Sequence, residues 1–350
     1  MSFDPNAPAP KNSGIYGLPT AEAEAALVLL PVPWEATTSY GGGTAEGPAA
    51  IFEASKQVDL YDLDVEKPYE AGIAMTAAPG ELAGWNERAK ELAQKIIRED
   101  DDVQDPAARA KVLGEVEALG AKVNAWVERE TTRLLGAGKI VGVVGGDHSV
   151  PLGAIAAAAR RFGSFGVLHV DAHSDTRDAY EGFRFSHASI MRNVLDTVPG
   201  VTRLVQLAIR DVCEEEMEYV RRAGDRVVVF DDRQVSRDKA RGASWHAIAE
   251  RIVAALPDRV WISFDVDGLD PKLCPHTGTP VPGGIELAEA VYLMSMLVSA
   301  KKTIVGFDLC EVAPNLDDES DEWDANVGAR LLYKMCGFAL ASQGRAPLRG

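Results

Sequence analysis

From residue 139 onward the chain alternates short apolar runs with longer segments of helical period, and this alternation restricts the fold more than any other feature of the sequence. Strands are predicted near 139–144, 165–170, 203–208, 226–230, 259–264 and 303–308, and helices near 149–162, 187–197, 213–223, 243–255, 286–300 and 325–340. Strand, helix and strand in repeated succession make βαβ units, hence a mainly parallel sheet with helices on both faces. Upstream, "ALVLLPV" reads as a strand, a helix follows from Pro48, and a short strand surrounds Ile73. Residues 84–136 are helical, with a break at Pro106 that suits a helix start. Residues 1–25, rich in Pro, Asn and Ser, read as an N-terminal arm without a core of its own. Neither a repeat nor a linker follows, so 26–350 is expected to be one domain carrying a helical insertion at about 84–136.

Three predicted strands end in unusual residues. "KIVGVVGGDHSV" finishes in Asp147 and His148, "GVLHVDAHSDTRD" in Asp171, His173 and Asp175, and "RVWISFDVDGLDP" in Asp265 and Asp267. Alternate residues of a strand share a face, so Asp171, His173 and Asp175 are expected to point the same way, as are Asp265 and Asp267. The apolar runs before them mark buried strands, and carboxylates buried side by side cost several kcal/mol unless something positive sits between them. In open parallel sheets ligands bind outside the carboxyl ends of the strands, where all three clusters fall. Two imidazoles and four carboxylates could thus hold two divalent ions. The thiolate-free N/O set points to Mn²⁺ first, with Ni²⁺, Co²⁺ or Fe²⁺ as further possibilities. Such a pair can lower the pKa of a water enough to give hydroxide at neutral pH. Each motif also has a plainer reading: a lone DxD at a strand end is common, and "GGDHS" could be a helix cap with His148 incidental.

The formal net charge of −17 argues against nucleic acid and anionic membranes as partners and is compatible with a cationic small substrate. Four cysteines without paired spacing suggest reduced thiols and a cytoplasmic location; no C-x-x-C suggests zinc. "GVVGGD" lacks G-x-G-x-x-G and "SYGGGTAEG" lacks G-K-[ST], so nucleotide-binding loops are not indicated.

"GGDHS", "DAHSD" and "SFDVDGLDP" resemble the three signatures of the ureohydrolase family, which includes arginase and agmatinase, and the likeness runs from about residue 27. The resemblance implies a three-layer α/β/α fold and two Mn²⁺-type ions. It assigns His148, Asp171, Asp175 and Asp265 to one ion, and Asp171, His173, Asp265 and Asp267 to the other. "YEGFRFSHASIMRN" is similar to the agmatinase segment bearing a histidine near the metals, which would make His187 the proton shuttle. "IVGFDLCEVAP" is similar to the strand whose glutamate pairs with the substrate guanidinium, here Glu311. A histidine titrates in the range needed to protonate a leaving amine, and a carboxylate can grip a planar guanidinium through two hydrogen bonds. The plainer readings are a solvent-facing histidine at a helix start and a surface acid at a strand end.

The family implies urea release from a guanidino compound and a homo-oligomer, a trimer or hexamer, to which the 84–136 segment would contribute contacts. The arginase pattern for holding an α-amino acid is not visible. "PWEATTSYGGGTAEG", with Trp34, Thr37, Thr38 and Tyr40, and "DEWDANVGARLL", with Trp323, differ from ordinary agmatinases. Their aromatics are expected to narrow the entrance and favour an agmatine-like or smaller guanidine, or else serve core or subunit packing. His276 is expected near the site, lining the pocket or bonding within its loop. His169 is expected to pack or hydrogen-bond inside the sheet and His246 to lie at the surface. Arginase, guanidino-acid hydrolase and formiminoglutamase activities are the alternatives within the fold, and a non-catalytic partner subunit the alternative outside it.

Overall fold

The computed structural model describes residues 3–318 and 320–349. Eight strands, β1 (Leu27–Val32), β2 (Ile73–Met75), β3 (Ile140–Gly145), β4 (Phe165–Val170), β5 (Val201–Leu207), β6 (Val227–Phe230), β7 (Arg259–Asp265) and β8 (Thr303–Cys310), form one sheet. Its order is β2-β1-β3-β8-β7-β4-β5-β6, and every neighbouring pair runs parallel. Because every strand runs the same way, all eight carboxyl ends lie along one edge.

Strand alternation divides the core in two. Leu27 and Leu29 of β1 join one apolar cluster, while Val28, Leu30 and Val32 join the other. The first cluster is completed by α1 (Gly47–Ala54), α8 (Trp245–Ala255), α9 (Leu287–Ser299) and α10 (Trp323–Ser342). The second is completed by α2 (Gly80–Ile97), α3 (Pro106–Gly136), α4 (Leu152–Phe162), α5 (Ile190–Thr197) and α6 (Glu214–Ala223). The result is the expected three-layer α/β/α sandwich, with a sheet parallel throughout. Residues Ile15, Tyr16 and Leu18 of the N-terminal stretch, which has no core of its own, dock into the first cluster.

Local chemistry accounts for the element boundaries. α3 opens at Pro106, and the Asp105 carboxylate caps it by accepting the Ala108 N–H at 2.9 Å. One helix has no counterpart in the sequence expectations. α7 (Asp232–Ala240), "DRQVSRDKA", buries only Val235 and carries no apolar period to reveal it. Its sole local signal is Asp231, whose carboxylate accepts the Gln234 N–H at 2.9 Å.

Candidate active site and metal centre

The four central strands β3, β8, β7 and β4 deliver the unusual residues to the carboxyl edge. One expectation about how they get there is corrected. β4 ends at Val170, so Asp171, His173 and Asp175 lie on the loop beyond it rather than alternating along a strand. They converge because that loop turns back on itself. Asp175 takes a left-handed backbone, φ 55°, and the Asp171 carboxylate accepts the His173 N–H at 2.5 Å. Asp265 closes β7, and Asp267 sits in the one-turn helix after it, its N–H donated to Asp265 Oδ1 at 2.8 Å.

All six residues meet. His148 Nδ1 lies 3.0 Å from Asp171 Oδ2, 3.4 Å from Asp175 and 3.4 Å from Asp265. His173 Nδ1 lies 2.9 Å from Asp267 and 3.4 Å from the other oxygen of Asp171. Asp171 thus faces a histidine on each side, and donor atoms gather in two adjoining groups, one around His148 and one around His173. Among the described residues, these four carboxylates form ion pairs with histidines alone and with no Lys or Arg. Burial, and then the Asp171 charge, push the Asp175 carboxyl up to about 8. Burial, then Asp267 and Asp171, likewise hold Asp265 well above the usual range. Burial alone would lower His173, but Asp267 and Asp171 carry it up to about 12. Four buried carboxylates call for more cationic charge than two imidazoles can supply, no Lys or Arg among the described residues adds any, and hard oxygen donors with imidazoles suit divalent ions.

A second layer fixes His148. Its Nε2 lies 2.9 Å from Ser263 Oγ, and that hydroxyl donates to Asp308 Oδ1 at 2.8 Å. The Trp261 indole N–H donates to the other oxygen of the fully buried Asp308 at 2.5 Å. A ring nitrogen engaged in this way directs the other toward the carboxylates. Behind Asp171, His169 Nε2 lies 2.8 Å from Oδ2, and the Gln206 amide lies 3.1 Å from His169 Nδ1. His169 is buried in the sheet and hydrogen-bonded there, as expected, and one of its partners is a cluster carboxylate. Ser263 and Asp308 did not enter the sequence reading. The signal was present, since each precedes a strand-end residue (Asp265, Cys310) by two and so shares its face.

Glu311 follows β8 in a left-handed conformation, φ 64°, a strained backbone of the kind that gathers at functional sites. Its N–H donates to the Gly146 carbonyl at 2.8 Å and its Oε1 accepts the His148 N–H at 2.9 Å. Oε2 faces Gly278, where even a β-carbon would stand 3.3 Å away. Burial, followed by Asp265 and Asp147, raises the Glu311 carboxyl well above the usual range. A β-carbon on Gly278 would stand 3.8 Å from Thr38 Cγ2, and among the described residues the buried hydroxyls of Thr38, of its neighbour Thr37 and of Thr277 lack hydrogen-bond partners. His187 begins the turn that leads into α5. Its Nδ1 is 3.4 Å from Ser186 Oγ, the Tyr180 ring packs edge-on at 5.8 Å, and burial and His173 push it down to about 4.

The remaining residues singled out from the sequence are more scattered. Trp34 is buried and lines a crevice with Thr37, Leu113, Val116, Phe183 and Phe185. Tyr40 and Trp323 stand on the surface, 73% and 49% exposed, and the Trp323 indole N–H donates to the Lys272 carbonyl at 3.0 Å. His276 is engaged by Asp324, whose two oxygens lie 2.9 Å from its backbone N and 2.8 Å from Nδ1. His246 is at the surface, its Nδ1 2.8 Å from the Tyr292 hydroxyl. No helix among the described residues is long and apolar enough to cross a membrane.

The arginase family model matches residues 25–337. An N(1)-aminopropylagmatine ureohydrolase of Synechocystis is 33% identical over 327 residues, spanning 93% of this chain and 92% of its own. Another protein of that name, from Thermus thermophilus, is 33% identical over 321 residues, 91% of this chain and 92% of its own. Among solved structures, the proclavaminate amidino hydrolase of Streptomyces clavuligerus superposes with a TM-score of 0.72 at 22% identity, covering 96% of this chain and 100% of that one.

Proposed function

The chain belongs to the arginase family, and from that premise we propose that it hydrolyses a C–N bond of a small cationic guanidino compound to urea and an amine or ammonia. The observation that carries this reading is Glu311, a buried carboxylate held in a strained backbone, hydrogen-bonded to the N–H of His148 and with its other oxygen turned toward Gly278. His148, Asp171, Asp175 and Asp265 would hold one ion and Asp171, His173, Asp265 and Asp267 the other, with Mn²⁺ the first choice and Ni²⁺ the second. When bound, the ions supply Lewis acidity that brings the pKa of a water toward neutrality.

The side chains do the rest. Glu311 Oε2 accepts N–H groups of the guanidinium, neutralising a carboxylate that is costly to bury alone and fixing the plane of the carbon to be attacked. Thr37, Thr38 and Thr277 offer acceptors for the remaining N–H groups. After attack, the nitrogen that leaves must gain a proton. Nε2 of His187, whose imidazole burial keeps neutral, takes up the proton that the attacking water loses and passes it to that nitrogen, Nδ1 being engaged beside Ser186. Trp34 and the segment 180–187 exclude bulk water from this exchange.

For substrate, the acidic protein favours cations and disfavours guanidino acids, and an agmatine-like or smaller guanidine is the reading we hold. The relatives' name keeps a longer cationic guanidine, N(1)-aminopropylagmatine, as the competing reading. A homo-oligomer, a trimer or hexamer, is proposed from the family. The deciding experiment is urea release from guanidine, agmatine, aminopropylagmatine, 4-guanidinobutyrate and arginine after loading with Mn²⁺ or Ni²⁺. Arginine with the highest kcat/KM would overturn the substrate reading. Formiminoglutamate as the preferred compound would move the enzyme to another branch.

A further inference from the structure

The loop from Pro33 to Gly43 leans on the helical segment between β2 and β3 through one polar junction. Asn86 and Lys90 lie four residues apart on α2, hence on one side of that helix, flanking the apolar stripe of Leu82, Ala89 and Ala93. Asn86 Oδ1 accepts the Glu35 N–H at 2.8 Å. The Lys90 ammonium bonds Glu35 Oε1 directly. Glu35 is 4% exposed, and its other oxygen accepts from the Thr44 hydroxyl at 3.2 Å and the Ala45 N–H at 3.1 Å. On the opposite side, the carbonyl of the preceding residue, Trp34, accepts the Asp147 N–H at 2.7 Å. Two adjacent residues therefore connect α2 to the end of β3, next to His148. The loop's far side is pressed against the turn at Gly278, which Glu311 also approaches: a β-carbon at Gly278 would lie 3.8 Å from Thr38 Cγ2 and 3.3 Å from Glu311 Oε2, and one at Gly41 would lie 2.6 Å from the Gly278 carbonyl.

We propose that Lys90 and Asn86 are positioning residues that hold Glu35, and through it the loop bearing Trp34, Thr37 and Thr38, in the conformation that receives the guanidino substrate. The inference rests on the substrate-side role given to that loop above. The ammonium of Lys90 is the charge that lets Glu35 be buried. Without it the carboxylate draws water to itself and the loop must be ordered anew each time substrate binds. The chemical step depends on His148, Glu311 and His187, none of which Lys90 or Asn86 touches, so the cost falls on binding.

The test uses the full-length, metal-loaded protein as wild type, Lys90→Met, Lys90→Arg and Asn86→Ala. Lys90→Met is expected to raise KM about tenfold with kcat changed less than about threefold and metal content unchanged. Lys90→Arg should recover most of the loss. In hydrogen-exchange mass spectrometry, amides of residues 34–45 should exchange at least about tenfold faster in Lys90→Met, while those of β3 keep their protection. Unchanged KM and unchanged loop protection in Lys90→Met overturn the proposal. So does a fall in kcat and metal content at constant KM, which marks a general structural role. Should Lys90→Met fail to fold, Asn86→Ala decides by the same two readouts, with faster loop exchange and higher KM expected. If the wild type hydrolyses no guanidino compound, the functional reading fails, while the exchange data still show whether α2 tethers the loop.

Discussion

The floor of the site and its mouth are built on different principles. The floor, His148, Asp171, Asp175, Asp265 and Asp267, hangs from the ends of three central strands, and second contacts from Ser263, Asp308 and His169 brace it inside the sheet. The mouth is made of loops that take their shape from elements remote in sequence. Glu35 reaches back to α2, Gly182 faces Leu113 of α3, and Phe185 packs on Gly120 of α3. A floor fixed by backbone ladders tolerates little change. A mouth fixed by a few side-chain contacts can be retuned, which suits a family whose members differ in substrate more than in chemistry.

The hardest blow to the floor is removal of Asp171 or Asp265. Either change to Ala should release one or both ions and abolish urea formation, as read by metal analysis and a urea assay. Activity should also fall in acid, where protons compete for the ligand lone pairs. Full turnover in thoroughly chelated protein would break the floor's side of the comparison. Next comes His187, at the boundary of the two regions. His187→Ala should lower kcat by about 10²–10⁴-fold and spare metal content. Ions lost together with activity would reassign His187 to the floor.

Smaller effects sharpen the contrast. Ser263→Ala touches no ion and no substrate, yet it should weaken metal affinity by about 10- to 100-fold in competition with a chelator, because His148 Nε2 loses its partner and Asp308 loses a donor. An unchanged affinity would show that the strand end alone orients His148. The least effect belongs to the mouth. Trp34→Ala should shift preference toward longer guanidines by no more than about tenfold, the scale of discrimination by pocket volume. Preference that stays fixed would place Trp34 among packing residues only.

How much of this could be read from the sequence follows the same division. Strand runs such as "KIVGVVGG" and "RVWISF" announce themselves, because strands buried on both faces are continuously apolar. The convergence of Asp171, His173 and Asp175 was legible, though its expected cause, strand alternation, is replaced by a turn at Asp175 that no local pattern signals. α7 escaped because a polar surface helix has no period to detect. At the mouth, Glu35 gives no hint in "PWEATTSY" that it is buried, since the partners that tie it to α2 lie 51 residues on, at Asn86, and 55 residues on, at Lys90. The surface positions of Tyr40 and Trp323 were equally unreadable, because composition specifies an aromatic ring but not where it points.

The strand order has a consequence for how the molecule is made. β8 is the last strand to leave the ribosome, yet it takes a place in the middle of the sheet, between β3 and β7. Until residues 303–310 emerge, the β3 half and the β7-β4-β5-β6 half have no ladder joining them, and each leaves an open edge with unpaired N–H and C=O groups. His148 is synthesised on one half and Asp171 and Asp265 on the other, so an ion arriving early meets only part of its coordination sphere. From the emergence of β7 until that of β8, nascent chains would therefore carry two adhesive strand edges and no metal to close them, the stage at which chaperone protection matters most.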